Sequence, residues 1–255
     1  MKSLKAHYVA EYTLVVAVIL LSVAGFWNIY LGADATPTPY QNLHVITSFT
    51  WLFLLLYQLW LIDKKNFLNH RKIGLSIAFI GPLLVATTTL LSVHSAHKGL
   101  VSGRGDFLIV QNVTVTLELG LLILLGFVVK KKRRLHAAFL LRTTILFMGI
   151  ALFFTLISFV PQFKIEGPET FYRFGTASTT AQYICSTIAL AFFLKDIRNG
   201  WPFIVAGSFF LLNDLINDQL VKYDLMRIKG IKLVQSKQLL FYRIRARAAL
   251  YRSVP

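Results

Sequence analysis

Long apolar runs alternate with short polar turns along this chain, and most of the runs are long enough to cross a bilayer, which takes about 20 residues at ~1.5 Å each. Six such runs extend from Thr13 to Leu31, Asn42 to Ile62, Ile73 to Val93, Phe107 to Val129, Ala137 to Val160 and Thr176 to Leu194. A seventh, Trp201 to Ile216, is shorter and passes into a polar stretch with Asn213, Asp214, Asn217 and Asp218. Two prolines in GADATPTPYQ separate the first two runs. Polar linkers follow the third run (Ser95 to Asp106, with His97, Lys98 and Arg104) and the fifth (PQFKIEGPETFYRFG). Gly81-Pro82 lies within the third run, where proline removes one helical hydrogen bond and predicts a bend that neighbouring helices tolerate. The pattern predicts an all-α, multi-pass transmembrane bundle of seven helices over residues 1–216. A basic tail, 217–255, has a composition that suits an interfacial helix. A re-entrant seventh segment is the alternative. The first run lacks a convincing small-residue cleavage site and reads as a retained helix.

Composition narrows the picture further. Hydrophobic residues make up 56% of the 255 positions and mean hydropathy is +0.62, which argues against an ordinary soluble domain. The formal charge of +16 is concentrated in the turns and tail, a pattern that points to anionic lipid headgroups. No nucleic-acid motif accompanies it, so nucleic acid is not an expected partner. The turns at 63–72, 130–136 and 195–198 fall on one side if six runs each cross. The positive-inside rule puts that side and the N-terminus in the cytoplasm. A seventh crossing sends the basic stretch from Lys222 to Arg252 outside, against the same rule. The single cysteine, Cys185, has no internal disulfide partner and reads as packing.

The order of motifs carries a resemblance. FWNIYL precedes an LHxxxSFTW helix bearing Gln58, then LNHRKIG. Next come an acidic residue within the fourth run, a basic turn ending in LH, and KDIRNGWPFIVAG. This resembles a group of functionally uncharacterised bacterial seven-helix integral membrane proteins. The likeness covers residues 24–216 and rests on His44, Trp51, Gln58, His70, Arg71 and Gly74. It implies the topology and supplies no activity. The chain departs from the group at His136-Ala137-Ala138-Phe139-Leu140, where His-Lys-Arg-Leu-Met is usual, and at Trp201-Pro202, where His-Pro is usual.

Polar groups inside a bilayer are costly and tend to face the bundle interior. His44, Thr47, Ser48, Trp51 and Gln58 share one face of the second run by helical spacing, as do Gln111, Thr114 and Glu118 on the fourth. Thr176, Thr179, Thr180, Tyr183 and Thr187 form the polar stripe of the sixth. Interhelical hydrogen bonding alone accounts for most serines and threonines, at ~0.6 kcal/mol per contact. Glu118 lies midway across and needs a partner or a proton, and Arg142 is at the matching depth. That pair reads equally as a packing ion pair or as a proton or substrate relay. The histidines form two layers, His44, His94 and His97 towards one surface and His70 and His136 towards the other. This layout suits paired imidazole ligation of b-type haem, and it also suits polar residues confined to helix ends. No other metal is expected.

Three functions stay open: a redox or haem-handling membrane protein, a small-molecule or proton-coupled transporter using Glu118 and Arg142, and an accessory or assembly subunit with membrane-protein partners. A retinal pigment is disfavoured because the last two runs lack a mid-depth lysine. Walker, His-Glu-x-x-His and Gly-x-Ser-x-Gly motifs are missing, so conventional enzyme chemistry has no support.

Overall fold

The computed structural model describes residues 8–33, 35–102, 106–165, 168–170 and 172–223. The tail from 224 onward therefore lies outside the described residues, as does His7. Among the described residues the fold is all-helical. In chain order the helices are α1 (Val9–Gly25), α2 (Trp27–Leu31), α3 (Pro39–Asp63), α4 (Phe67–Gly74), α5 (Ile77–Ser102), α6 (Asp106–Val128), α7 (Arg133–Phe159), α8 (Arg173–Lys195) and α9 (Trp201–Tyr223). A 3-10 turn, Pro168–Thr170, precedes α8. Five helices, α3 and α5–α8, are long and apolar enough to cross a membrane, while α1 and the apolar part of α9 are shorter.

Local chemistry explains where the helices depart from the apolar runs. The first run breaks at Phe26, which leaves helical geometry (φ −94°, ψ 4°) and splits α1 from α2. Helix α3 starts three residues before Asn42 because Thr38 and Gln41 form a reciprocal capping box and Pro39 occupies the first turn. It ends in a Schellman arrangement, with Asn66 N–H on the Leu61 carbonyl at 2.8 Å and Lys65 N–H on that of Ile62 at 2.9 Å. Lys65 takes the left-handed conformation there (φ 57°), a position usually held by glycine. Asn66 then caps α4, so His70 and Arg71 sit on a short helix and not in an irregular turn. Helix α5 runs through the expected linker as far as Ser102, and α7 begins at Arg133, which puts His136 in its first turn. The seventh run continues past Ile216 as one helix to Tyr223.

Helix α7 is the hub. It packs against α1, α6, α8 and α9 and touches α3, and half of its apolar window is buried, against 28–39% for the other four long helices. Helix α3 packs on α5 and α1, and α6 lies between α5, α7 and α9. Trp51, fully buried, donates its indole N–H to Thr143 Oγ1 at 2.8 Å and pins α3 to α7. Outward positions are apolar: Leu20, Ile46, Phe79, Leu117, Leu124 and Leu215 are each more than half exposed. Such a surface suits lipid.

Ion pairs gather the basic turns at one end of the bundle. Arg134 reaches Asp196 at 4.0 Å, and Lys195 reaches Glu11, at the start of α1, at 2.6 Å. His70 of α4 lies within electrostatic reach of His136 and Arg133. We call this the basic end.

Candidate functional site

Glu118 and Arg142 meet in the middle of the bundle. Glu118 precedes the basic end of α6 by ten residues and Arg142 follows the start of α7 by nine, roughly 15 and 14 Å of helix. Equal depth on two packed, antiparallel helices brings them together. Arg142 Nη2 lies 3.5 Å from Glu118 Oε1, with the side chains 0% and 2% exposed. The guanidinium also sits over the Phe210 ring of α9, 5.0 Å from its centroid, a cation–π contact in a desolvated setting. Buried Cys185 of α8 is within electrostatic reach of it. Neither Glu118 oxygen nor any guanidinium nitrogen finds a hydrogen-bond partner among the described residues. The charges therefore hold one another by Coulomb attraction alone, with no auxiliary hydrogen bonds to offset desolvation.

Starting one helical turn towards the opposite end and reaching two turns at Gln111, a cavity is lined by Gln111, Ser178 and Gln182 together with Val115, Leu146, Gly149 and Phe210. Gln182 Nε2 donates to Ser178 Oγ at 3.3 Å, and nearby Thr114 Oγ1 lies 2.5 Å from Asn213 Oδ1. A second cavity, on the other side of Val115, Leu146 and Ile150, is lined by His44 and Thr88. Each has room for about one water molecule.

The polar faces of the second and fourth runs do turn inward. His44 lies between Thr88 Oγ1 and Ser48 Oγ, each 3.4 Å from a ring nitrogen, and Thr47 meets Thr87 at 2.9 Å. Ser92 and Thr116 then link α5 to α6 at 3.2 Å. The sixth run requires a correction. Thr176, Tyr183 and Thr187 are exposed, and the hydroxyls of Thr180 and Thr187 bond to carbonyls of their own helix. The buried face is Ala177, Ser178, Ala181, Gln182, Cys185 and Ala189. The alanines and Ser178 on this face permit the close approach of α8 to α7.

At the basic end, Gln58 clasps α4 to α3. Its amide, oriented by its neighbours, donates to His70 Nδ1 and to the His70 carbonyl at 3.2 Å, and accepts from Gly74 N–H at 3.2 Å. Burial, then the fields of His136, Arg133 and Arg71, hold His70 below the usual imidazole value of 6.5. His136 donates Nδ1–H to the Gly126 carbonyl at 2.7 Å. At the opposite end the His94 ring lies 5.5 Å from that of Tyr40. The side chain of His97 lies outside the described residues.

These surroundings do not fit haem. A haem between His44 and His94, or between His70 and His136, requires a gap as wide as the macrocycle. His44, His70 and His136 are instead engaged by groups on the same or neighbouring helices, and the cavity at His44 is water-sized. Among the described residues no cluster of three or more His, Cys, Asp or Glu forms a metal site. Sequence reasoning missed Phe210, Ser178, Gln182 and Asn213. The i, i+4 pairing of Ser178 with Gln182 on an alanine-rich face was the available signal, whereas Phe210 has no local signature. Compared with known proteins, the chain matches no family model, no curated protein and no solved structure.

Proposed function

We propose that this chain is an integral membrane protein with seven crossings, and that Glu118 and Arg142 carry a proton through its interior. The observation that carries this reading is a fully buried ion pair at mid-bundle with no hydrogen bond to hold it among the described residues. A proton that reaches the carboxylate neutralises it and dissolves the pair, so protonation is coupled to the packing of α6 against α7. Water-sized cavities on either side of Val115 suit protons better than larger solutes. Support for the seventh crossing comes from Asn213, which meets Thr114 at mid-helix and leaves ten residues of α9 beyond it, roughly 15 Å. The seven-helix resemblance agrees with this count. By the positive-inside rule, the basic end and the N-terminus face the cytoplasm of a bacterial inner membrane, against anionic headgroups.

The Arg142–Phe210 contact favours a second reading, in which the pair is only a fastener within an accessory subunit. Proteoliposomes loaded with a pH-sensitive dye and driven by a potassium diffusion potential separate the two. Proton flux that Glu118→Gln abolishes, in a variant that elutes as a folded species, supports transport. No flux from the parent protein, or equal flux from the variant, leaves the fastener.

A further inference from the structure

The two sides of the ion pair differ. Towards the end away from the basic turns, the cavity of Gln111, Ser178 and Gln182 begins one turn from the pair: Val115 is one turn from Glu118, Leu146 one turn from Arg142, and Phe210 contacts both cavity and guanidinium. Three side chains there can each hydrogen-bond water. Towards the basic end, the next turn of each helix is apolar and closed. Leu122, Phe139, Leu140 and Phe203 are all at most 6% exposed. Trp201 stands edge-on against Phe139 with centroids 5.1 Å apart, and α6 presents Gly126 to Leu140 so closely that a methyl group there would come within 2.8 Å of Leu140 Cδ2.

Resting on the proton-carrying reading, we propose that water and protons reach Glu118 from the end opposite the basic turns only, through the Gln111–Ser178–Gln182 cavity. The layer of Leu122, Phe139 and Leu140 is then the barrier that must part for release on the basic side. A proton from bulk solvent is relayed through water in this cavity to the Glu118 carboxylate, which becomes neutral, each water gaining one proton as it passes another on. The cavity is thus the inner part of a half-pathway.

Silver ions, small enough to follow a water path, test the route. Ser178→Cys and Leu140→Cys are each made in a Cys185→Ala background and reconstituted into vesicles of both orientations. After exposure to silver the protein is denatured and labelled with a maleimide. Loss of labelling at position 178 is expected when silver is added on the side of residues 161–165, with none from the basic side and none at position 140 from either side. Protection of position 178 from the basic side, or from neither side, overturns the route, as does ready protection of position 140. In the flux assay Gln182→Leu is expected to lose transport as Glu118→Gln does. Flux that survives Gln182→Leu but not Glu118→Gln overturns the route and leaves the role of Glu118 intact. Flux that survives both overturns the role itself.

Discussion

Removing either member of the central pair strands the other in an apolar interior. Glu118→Leu leaves the Arg142 guanidinium, wholly buried, with only the Phe210 ring beside it. Arg142→Met leaves a carboxylate with no donor among the described residues. Breaking a buried pair from one side costs about 3–5 kcal/mol, whereas replacing both members with apolar groups of similar size is close to neutral or stabilising. For a chain of this size each kcal/mol moves the melting midpoint by about 2–4 °C, so each single variant should fall by roughly 6–20 °C. The Glu118→Leu/Arg142→Met double variant should return to within about 1 kcal/mol of the parent. Cys185, the single cysteine, supplies the assay. It is fully buried and becomes reactive to a fluorogenic maleimide when the bundle opens on heating in detergent. Additive losses in the double variant, or single variants that melt with the parent, would refute the reasoning, because both outcomes mean that the two charges do not depend on one another.

Gly25→Ala should destabilise by about 1–3 kcal/mol, since the new methyl group would lie 2.5 Å from the Ala151 carbonyl oxygen, a backbone atom that cannot move aside; thermal unfolding checks it. His70 is neutral-favouring in the folded state, so the unfolded chain binds more protons and stability falls as pH drops below about 6.5. His70→Gln should flatten that part of the melting-against-pH curve, and an unchanged slope would show that another group titrates. Cysteines placed singly at 64, 131 and 198 in a Cys185→Ala background should all react with an impermeant maleimide from the same face of the membrane, and a split result would break the gathering of the basic turns.

Helix existence was legible because the length of an apolar run is read directly against bilayer thickness. Helix limits were less so, since they depend on caps. Thr38 and Gln41 extend α3 backwards, Asn66 converts a basic turn into α4, and residues 95–102, free of proline, simply continue α5. The Glu118–Arg142 pair was foreseeable because two residues at equal depth from the same basic turn must face one another once their helices pack. The buried face of α8 was not. Its polar spacing reads as the threonine stripe, and only contact with α7 selects Ser178, Gln182 and Cys185 instead. The Phe210 ring belongs to a helix far along the chain and no local pattern announces it.

The dependence of α1 on α7 has a consequence for biosynthesis. Leu14, Val15 and Val18 bury the inner face of α1, and Thr155 of α7 donates to the Leu21 carbonyl at 3.3 Å across 134 residues of chain. At about 5–20 residues per second, roughly 7–27 s separate the emergence of these two partners from the ribosome. During that interval α1 lacks the partner it packs against most, and its Gly25 notch is unfilled. Helix α1 thus waits for a partner made much later, and a chain arrested before residue 133 would present this unmated surface to its surroundings.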